Sequence, residues 1–246
     1  MKMILNERKH AEEALAYGKM DKKPTRTLVC IAKLGLEQGQ SIDEVHNVLH
    51  QFMSKYYLNY NAVHWDSFFH RVIHQAACYF KTREKAGKSR LIEIDDISIT
   101  YTELLRIKEL RSKRLEKLAF VLLVYSKINN RIHESNVYWV NNVWSEIYSD
   151  TGMAVSKRDQ GLLVHKLIQS GLLKESKRVD STNVQVLFAQ EEDDVAIKLI
   201  CFDDFILEYL RWTGERIKNC TICGKRLIAK SNRQKYCKEC RNIQRS

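Results

Sequence analysis

Apolar residues recur along much of this chain at the three- and four-residue spacings of amphipathic helices. Within residues 1–80 this pattern predicts four helices. The first ends at Gly18, the second covers 26–37, Ser41 caps the third, and the fourth covers 65–80. This region is therefore expected to form a helical bundle with its own apolar core.

After residue 100 the pattern begins with a long helical stretch and then changes to shorter helices and strands. Thr100 and Glu103 have the spacing of a capping box, and apolar positions continue at helical spacing as far as Tyr125. Two short helices, a two-stranded hairpin, a third strand and a last helix follow, predicted over 141–148, 157–170, 172–178, 184–188, 195–202 and 203–212.

Turn-forming residues are too few for an all-β fold. The 246 residues include nine Gly and one Pro, and 44% are hydrophobic, so the chain is expected to be globular and mostly α-helical. No run approaches the ~20 apolar residues of a membrane span, and the first residues lack the apolar run of a secretory signal. These observations predict a cytoplasmic protein without a membrane partner.

Four of the seven cysteines form two C-x-x-C pairs, Cys220/Cys223 and Cys237/Cys240, with 13 residues between them. Four such thiolates can converge on one tetrahedral Zn²⁺, and Gly224 gives the first turn the freedom to fold around it. A segment this short cannot fold by apolar burial alone, so a single structural zinc with no open coordination position is expected. An iron site and a redox-active C-x-x-C are the alternatives.

Basic residues are concentrated at the C-terminal end. The chain has a formal net charge of +11, of which the last 36 residues carry +9. Such asymmetry favours a polyanionic partner, most simply nucleic acid, over a merely solubilising tail. The residues expected to clamp a nucleic-acid backbone here are Lys225, Arg226, Lys230, Arg233, Lys235, Lys238 and Arg241.

The residues 167–173, Leu-Ile-Gln-Ser-Gly-Leu-Leu, resemble the end of the recognition helix in winged helix-turn-helix proteins. In that family the helix ends on Gly and two apolar residues begin the wing, and the resemblance extends over about 104–190. It implies that the helix at 157–170 enters the major groove of double-stranded DNA and that the hairpin meets phosphates. The residues expected to contact DNA are Lys157, Arg158, Gln160, His165, Lys166, Gln169, Lys174, Lys177 and Arg178. Winged helices also bind proteins, so a protein partner stays open.

The expected fold is therefore mostly α, with an N-terminal helical bundle, a winged helix-turn-helix with a small β-hairpin, and a C-terminal zinc ribbon or knuckle. The predicted parts are a helical domain at 1–80, a basic linker at 81–99, a winged-helix domain at 100–214 and a zinc-binding module at 215–246.

Three segments, at 118–127, 177–188 and 236–240, resemble uncharacterised proteins of bacteriophages and mobile elements of Gram-positive bacteria. The likeness covers most of 90–246 and implies a mobile-element setting. We therefore expect a non-enzymatic DNA-binding protein that acts in transcription control or replication initiation. The alternative is an anti-defence interaction protein that inhibits or adapts a host nucleoprotein machine, such as an RNA-guided nuclease or a polymerase. A metal-dependent nuclease is disfavoured because the sequence presents no ligand set with an open position.

Histidines occur as two i, i+4 pairs, His46/His50 and His70/His74. Two such pairs on facing helices can hold a metal, but the sequence indicates no fixed acidic partner beyond Glu44. Ordinary surface or partly buried histidines are therefore expected. Neighbouring aromatic residues are expected to pack in the core, with a stacking surface as the alternative: Tyr56, Tyr57, Tyr60, Trp65, Phe68 and Phe69.

Overall fold

A computed structural model describes residues 4–21, 23–176, 183–191 and 194–243. Helices account for about 54% of it and strands for about 11%, which confirms the mostly α composition. The chain divides into two compact units, the first ending at Asp95 and the second beginning at Asp96. None of the helices in these described ranges is long and apolar enough to cross a membrane.

The first unit contains four helices, α1 (Glu7–Tyr17), α2 (Thr25–Glu37), α3 (Ile42–Tyr56) and α4 (Ala62–Lys85). Gly18 ends α1 in the left-handed conformation, with φ +69°, as predicted. Ser41 and Glu44 form both hydrogen bonds of a capping box at the start of α3. The helix boundaries thus follow signals that lie within a few residues of each end.

A continuous apolar core holds these helices together. Its buried residues come from all four, and Leu28, Leu49, Met53 and Phe69 are almost fully excluded from solvent. Five of the six predicted core aromatics pack against its edge, namely Tyr56, Tyr57, Tyr60, Trp65 and Phe68. Core packing is therefore their role here.

Residues 81–95, part of the predicted linker at 81–99, pack with the first unit. Helix α4 continues to Lys85, and the buried Arg83 guanidinium donates hydrogen bonds to the backbone and the hydroxyl of Ser89. Leu91 belongs to the apolar core. The bounds of the basic linker predicted over 81–99 stay a prediction, although Leu91 and the long Arg83 side chain are buried within it.

The second unit begins with β1 (Ile97–Thr100), α5 (Tyr101–Lys108) and α6 (Lys113–His133). Thr100 and Glu103 form the predicted capping box. The single helical pattern from Thr100 to Tyr125 is, however, divided into two helices. Arg111 adopts φ +48° between them, a conformation that non-glycine side chains seldom adopt and that the sequence did not indicate.

The remaining elements are β2 (Trp139–Val140), α7 (Trp144–Asp150), α8 (Lys157–Gln169), β3 (Leu173–Glu175), β4 (Val184–Val186), β5 (Val195–Leu199) and α9 (Ile206–Trp212). Strands β2, β4 and β3 form one antiparallel sheet in that order. Strand β5 does not extend the hairpin. It pairs instead with β1, about a hundred residues earlier, in a two-stranded sheet.

A buried ion pair joins the elements of this unit. Lys127 Nζ lies 2.9 Å from Glu103 Oε1, and their side chains are 3% and 0% exposed. Lys127 also donates to the carbonyls of Ser98 and Gln190, and Glu103 accepts from the Gln190 amide. Because both charges have full sets of partners, their burial is tolerated.

The described chain ends with β6 (Ile217–Asn219), β7 (Arg226–Ile228) and α10 (Lys238–Ile243). The two strands form an antiparallel hairpin. The proposed boundary between 214 and 215 stays a prediction, because the second unit is a single body that includes these elements.

Candidate metal centre and nucleic-acid interface

The first cysteine pair lies in the turn that joins β6 to β7. The Cys220 amide donates to the Lys225 carbonyl at 2.9 Å, and the Gly224 amide donates to the Cys220 carbonyl at 2.9 Å. Gly224 closes this turn with φ +70°, which a residue without Cβ adopts at no steric cost. The turn therefore directs the Cys220 and Cys223 thiols toward one point.

The second pair lies at the start of α10. The Thr221 amide donates to the Lys235 carbonyl at 3.0 Å, so the chain that precedes Cys237 is held against the first turn. Cys240 follows within the first turn of the helix, and its amide lies 3.5 Å from Cys237 Sγ. Local turns on both segments thus bring the four thiols together.

The four Sγ atoms lie within 4.8 Å of one another. Cys223 Sγ and Cys237 Sγ are 3.8 Å apart, which is the spacing of two thiolates on a tetrahedral ion with bonds of about 2.3 Å. The residues present therefore fit a metal ion, and Cys220, Cys223, Cys237 and Cys240 would together fill its coordination shell.

The electrostatics of the cluster favour a central cation. Backbone N–H groups of Cys223 and Cys237 lower the pKa of the Cys220 thiol to about 6. Hydrogen bonds with the thiols of Cys223 and Cys237 raise the pKa of Cys240 to about 12. Four thiolates this close repel one another, so complete deprotonation requires a positive charge among them.

The apolar core around the cluster is small. Three of the cysteines, Cys220, Cys237 and Cys240, are its buried residues, and within the described part of the module the partly buried Leu227 and Tyr236 pack against them. This is the arrangement expected of a module that a metal ion holds together.

Helix α8 and the β3–β4 hairpin border a groove of about 970 Å³. Lys157 and His165 of α8 line one side, and Glu175 and Val184 of the hairpin line the other. Gly161 leaves space on the helix side of the groove, because among the described residues no heavy atom beyond its chain neighbours and its own helix backbone lies within 4 Å of where its Cβ would be. Three of the residues predicted to contact DNA, Lys157, Gln160 and His165, thus line this groove.

The predicted contact residues of α8 differ in exposure. Gln160 is partly buried, its side chain lies 3.3 Å from the Val155 carbonyl, and its own carbonyl accepts from Tyr148. The others on this helix and the adjoining strand are exposed, namely Lys157, Arg158, His165, Lys166, Gln169 and Lys174. Lys177 and Arg178, also predicted to contact phosphates, lie outside the described residues.

Arg226 does not fit the predicted role in phosphate binding. Its guanidinium lies 2.6 Å from Glu208 of α9 and donates to the Asp203 carbonyl, and only 19% of its side chain is exposed. Its positive charge is thus paired with groups of the second unit itself. The other basic residues predicted in this module are exposed, namely Lys225, Lys230, Arg233, Lys235, Lys238 and Arg241.

Comparison with known proteins gives one partial likeness. An 88-residue stretch is 31% identical to the protein named DNA-directed RNA polymerase YonO of Bacillus phage SPbeta. The stretch is 35% of this chain and only 10% of the relative, so the likeness concerns a small part of that protein. No protein family and no solved structure matches the chain.

The relative is a phage protein, which supports a phage origin for this chain. The relative is also named as an enzyme, so the likeness gives no support to the expectation that this chain is non-enzymatic.

Proposed function

We propose that this chain is a nucleic-acid-binding protein of a phage or mobile element. In this proposal a winged helix-turn-helix formed by α6 to β4 reads double-stranded DNA. A structural zinc ion on the four cysteines shapes the C-terminal module, whose basic surface grips phosphates. The exposed basic surface around the cysteine cluster is the observation that carries the proposal.

The winged-helix interpretation is supported by the order and pairing of the elements. Helix α6 precedes a short strand, β2, and the pair α7 and α8 follows before the β3–β4 hairpin. The three strands lie in the order β2-β4-β3, so the hairpin is anchored beside α8 at the groove. A helix with exposed Lys, Arg and Gln side chains beside a hairpin suits major-groove docking.

The C-terminal module supports backbone contact rather than sequence readout. Its exposed Lys and Arg side chains lie outside the helix and hairpin that border the groove. Contacts from such side chains to phosphates position a protein on nucleic acid and carry no sequence information. A division of labour follows, in which α8 selects the site and the module supplies most of the electrostatic affinity.

The biological setting rests on the phage relative. A partial likeness to a protein named as a DNA-directed RNA polymerase agrees with action in transcription control or replication initiation. The alternative, an adaptor or inhibitor of a host nucleoprotein machine, would use the same basic surface against the machine's own nucleic acid.

Equilibrium binding of the full chain to double-stranded DNA, single-stranded DNA and RNA tests the proposal. We expect the tightest binding to double-stranded DNA and a steep loss of affinity with salt. Lys230→Ala should lower the magnitude of the salt slope by about 0.9, as expected for one lost phosphate contact. Lys85→Ala, an exposed lysine of the first unit, is the matched control and should leave the slope unchanged. Absence of binding to all three nucleic acids at low salt would contradict the proposal.

Sequence readout by α8 is tested separately, by selecting bound duplexes from a random pool. Arg158→Ala should relax the preference at one or two positions of the selected site, at a cost of about 1–3 kcal/mol there. An equal loss of affinity on every sequence would make Arg158 a phosphate contact instead.

A further inference from the structure

Three side chains of metal-binding type converge between helices α3 and α4 of the first unit. His46 Nε2 lies 3.1 Å from Asp66 Oδ1, and His70 Nε2 lies 3.9 Å from Asp66 Oδ2. One donor atom from each residue lies within 4.8 Å of the other two. The His46 and His70 rings stack with centroids 4.5 Å apart. Two imidazoles and a carboxylate thus share one small volume.

The helical spacing explains this convergence. Asp66 and His70 are four residues apart, so they lie on the same face of α4. That face meets the face of α3 that carries His46 and His50, and Phe69 packs edge-on against both of these rings. The apolar core therefore fixes both helix faces.

His46 Nε2 is buried and forms no hydrogen bond of good geometry among the described residues. Its near contact is Asp66 Oδ1, 3.1 Å away, which is the second ligand atom that a shared ion would use. A buried polar atom without a partner is costly, and a bound ion is one of the few explanations for it.

His50 supports the group from one side. Its Nδ1 is hydrogen-bonded to the Tyr60 hydroxyl, and its Nε2 lies 3.7 Å from Asp66 Oδ1. A partner on the far nitrogen fixes the orientation of an imidazole, which is a common arrangement around metal centres. The near nitrogen is therefore held beside the carboxylate.

We propose that His46, Asp66 and His70 bind one divalent first-row transition-metal ion, with His50 beside the carboxylate. Imidazole with a carboxylate suits Zn²⁺, Fe²⁺, Ni²⁺ or Cu²⁺ better than Mg²⁺ or Ca²⁺, which prefer oxygen ligands. Bonds of about 2.0–2.2 Å put ligand atoms about 3.4 Å apart, so the observed distances need only small side-chain rotations.

This centre would differ from the cysteine cluster in being open. Asp66 and His70 are 53% and 55% exposed, so coordination positions not filled by protein face the solvent. Three protein ligands with free positions are typical of sites that hold exchangeable water, whereas four thiolates close the shell. The sequence alone does not indicate this open ligand set, because Asp66 is brought beside His46 only when α3 and α4 pack together.

The metal content of the full chain tests the proposal. Protein equilibrated with Zn²⁺ buffered at about 1 µM is freed of unbound ion, and zinc is counted per chain. We expect two equivalents in the unaltered chain and one each in His70→Ala and Asp66→Asn. His74→Ala is the matched control and should retain two, since the His74 ring lies against Cys78, outside the group.

Cobalt distinguishes the two sites. With Co²⁺ in place of Zn²⁺, thiolate charge-transfer absorption reports the cysteine cluster alone, so Asp66→Asn should lose one cobalt with that absorption unchanged. Circular dichroism verifies that each variant is folded, and Asp66→Asn keeps the side-chain shape if His70→Ala does not fold. Equal metal content in the unaltered chain and in folded Asp66→Asn would overturn the proposal, whatever the cysteine cluster holds. Neither outcome bears on nucleic-acid binding by α8.

Discussion

The cysteine module and the first helical unit are built on different physical principles. Among the residues that the structure describes, the module's buried core consists of three cysteines, with Leu227 and Tyr236 packed against them. The first unit has buried apolar residues from all four of its helices, and its histidine group lies at the edge of that core. In the module a metal ion would take the place of a hydrophobic core, whereas in the first unit the core already holds the side chains.

Metal binding should therefore couple to folding differently in the two regions. Ligands that come together only when the ion binds convert the binding free energy into folding free energy. Ligands that the core already positions gain a metal without a change of fold. Removal of metal should therefore unfold the module and leave the first unit folded. Removal of core atoms from the first unit should destabilise that unit and leave the module's metal in place.

The largest effect should come from the loss of a cysteine ligand. Cys220→Ser should release the module's metal and unfold residues from about 217 onward, because structural zinc contributes about 10–16 kcal/mol in small modules. Hydrogen exchange should show lost protection in β6, β7 and α10 and unchanged protection in α1 to α4. Cys201→Ser, an exposed cysteine outside the cluster, is the control and should keep the metal. If Cys220→Ser kept both its metal and its protection from exchange, the module would not depend on a metal ion held by this cysteine.

An intermediate effect should come from a cavity in the first unit. Leu28 is fully buried in α2, and Leu28→Ala should lower the stability of this unit by about 2–5 kcal/mol, with the module's metal content unchanged. Leu58 is 99% exposed, so Leu58→Ala should change stability by less than about 0.5 kcal/mol. Denaturant unfolding measures both variants. An equal loss of stability in the two variants would mean that the apolar core is not what stabilises this unit.

Features whose signals lie close together in the sequence were predictable. The capping boxes at Ser41 and Thr100 are formed as predicted, because four adjacent residues contain the whole signal. The cysteine cluster was predictable for the same reason, since each C-x-x-C pair is one local turn and only the meeting of two turns had to be inferred.

Features that depend on distant partners were not predictable from periodicity. Strand β5 has the pattern of a strand, but nothing near it indicates that β1 is its partner. Asp66 is likewise an ordinary exposed acid on α4 until α3 brings His46 beside it. Its i, i+4 spacing to His70 is present in the sequence, but the same spacing joins His70 to His74, so spacing alone does not identify the ligand pair.

A count of basic residues is similarly limited as a guide to which side chains can bind phosphate. Lys230 and Arg226 are equivalent in a count of basic residues, yet Lys230 is exposed and Arg226 is bound to Glu208 and the Asp203 carbonyl. Composition measures how much positive charge a region carries. Which charges can reach a phosphate depends on packing against α9.

The smallest effect should separate these two uses of positive charge within the module. Arg226→Lys keeps the charge but loses the planar, two-point contact with Glu208 and Asp203. It should lower the stability of the second unit by about 1 kcal/mol, since the pair is only partly buried, and leave the salt slope of nucleic-acid binding unchanged. Lys230→Ala should leave the stability of the second unit unchanged and lower the magnitude of the salt slope. If Arg226→Lys instead lowered affinity without lowering stability, Arg226 would leave Glu208 to contact phosphate. The module's basic residues would then form a single binding surface.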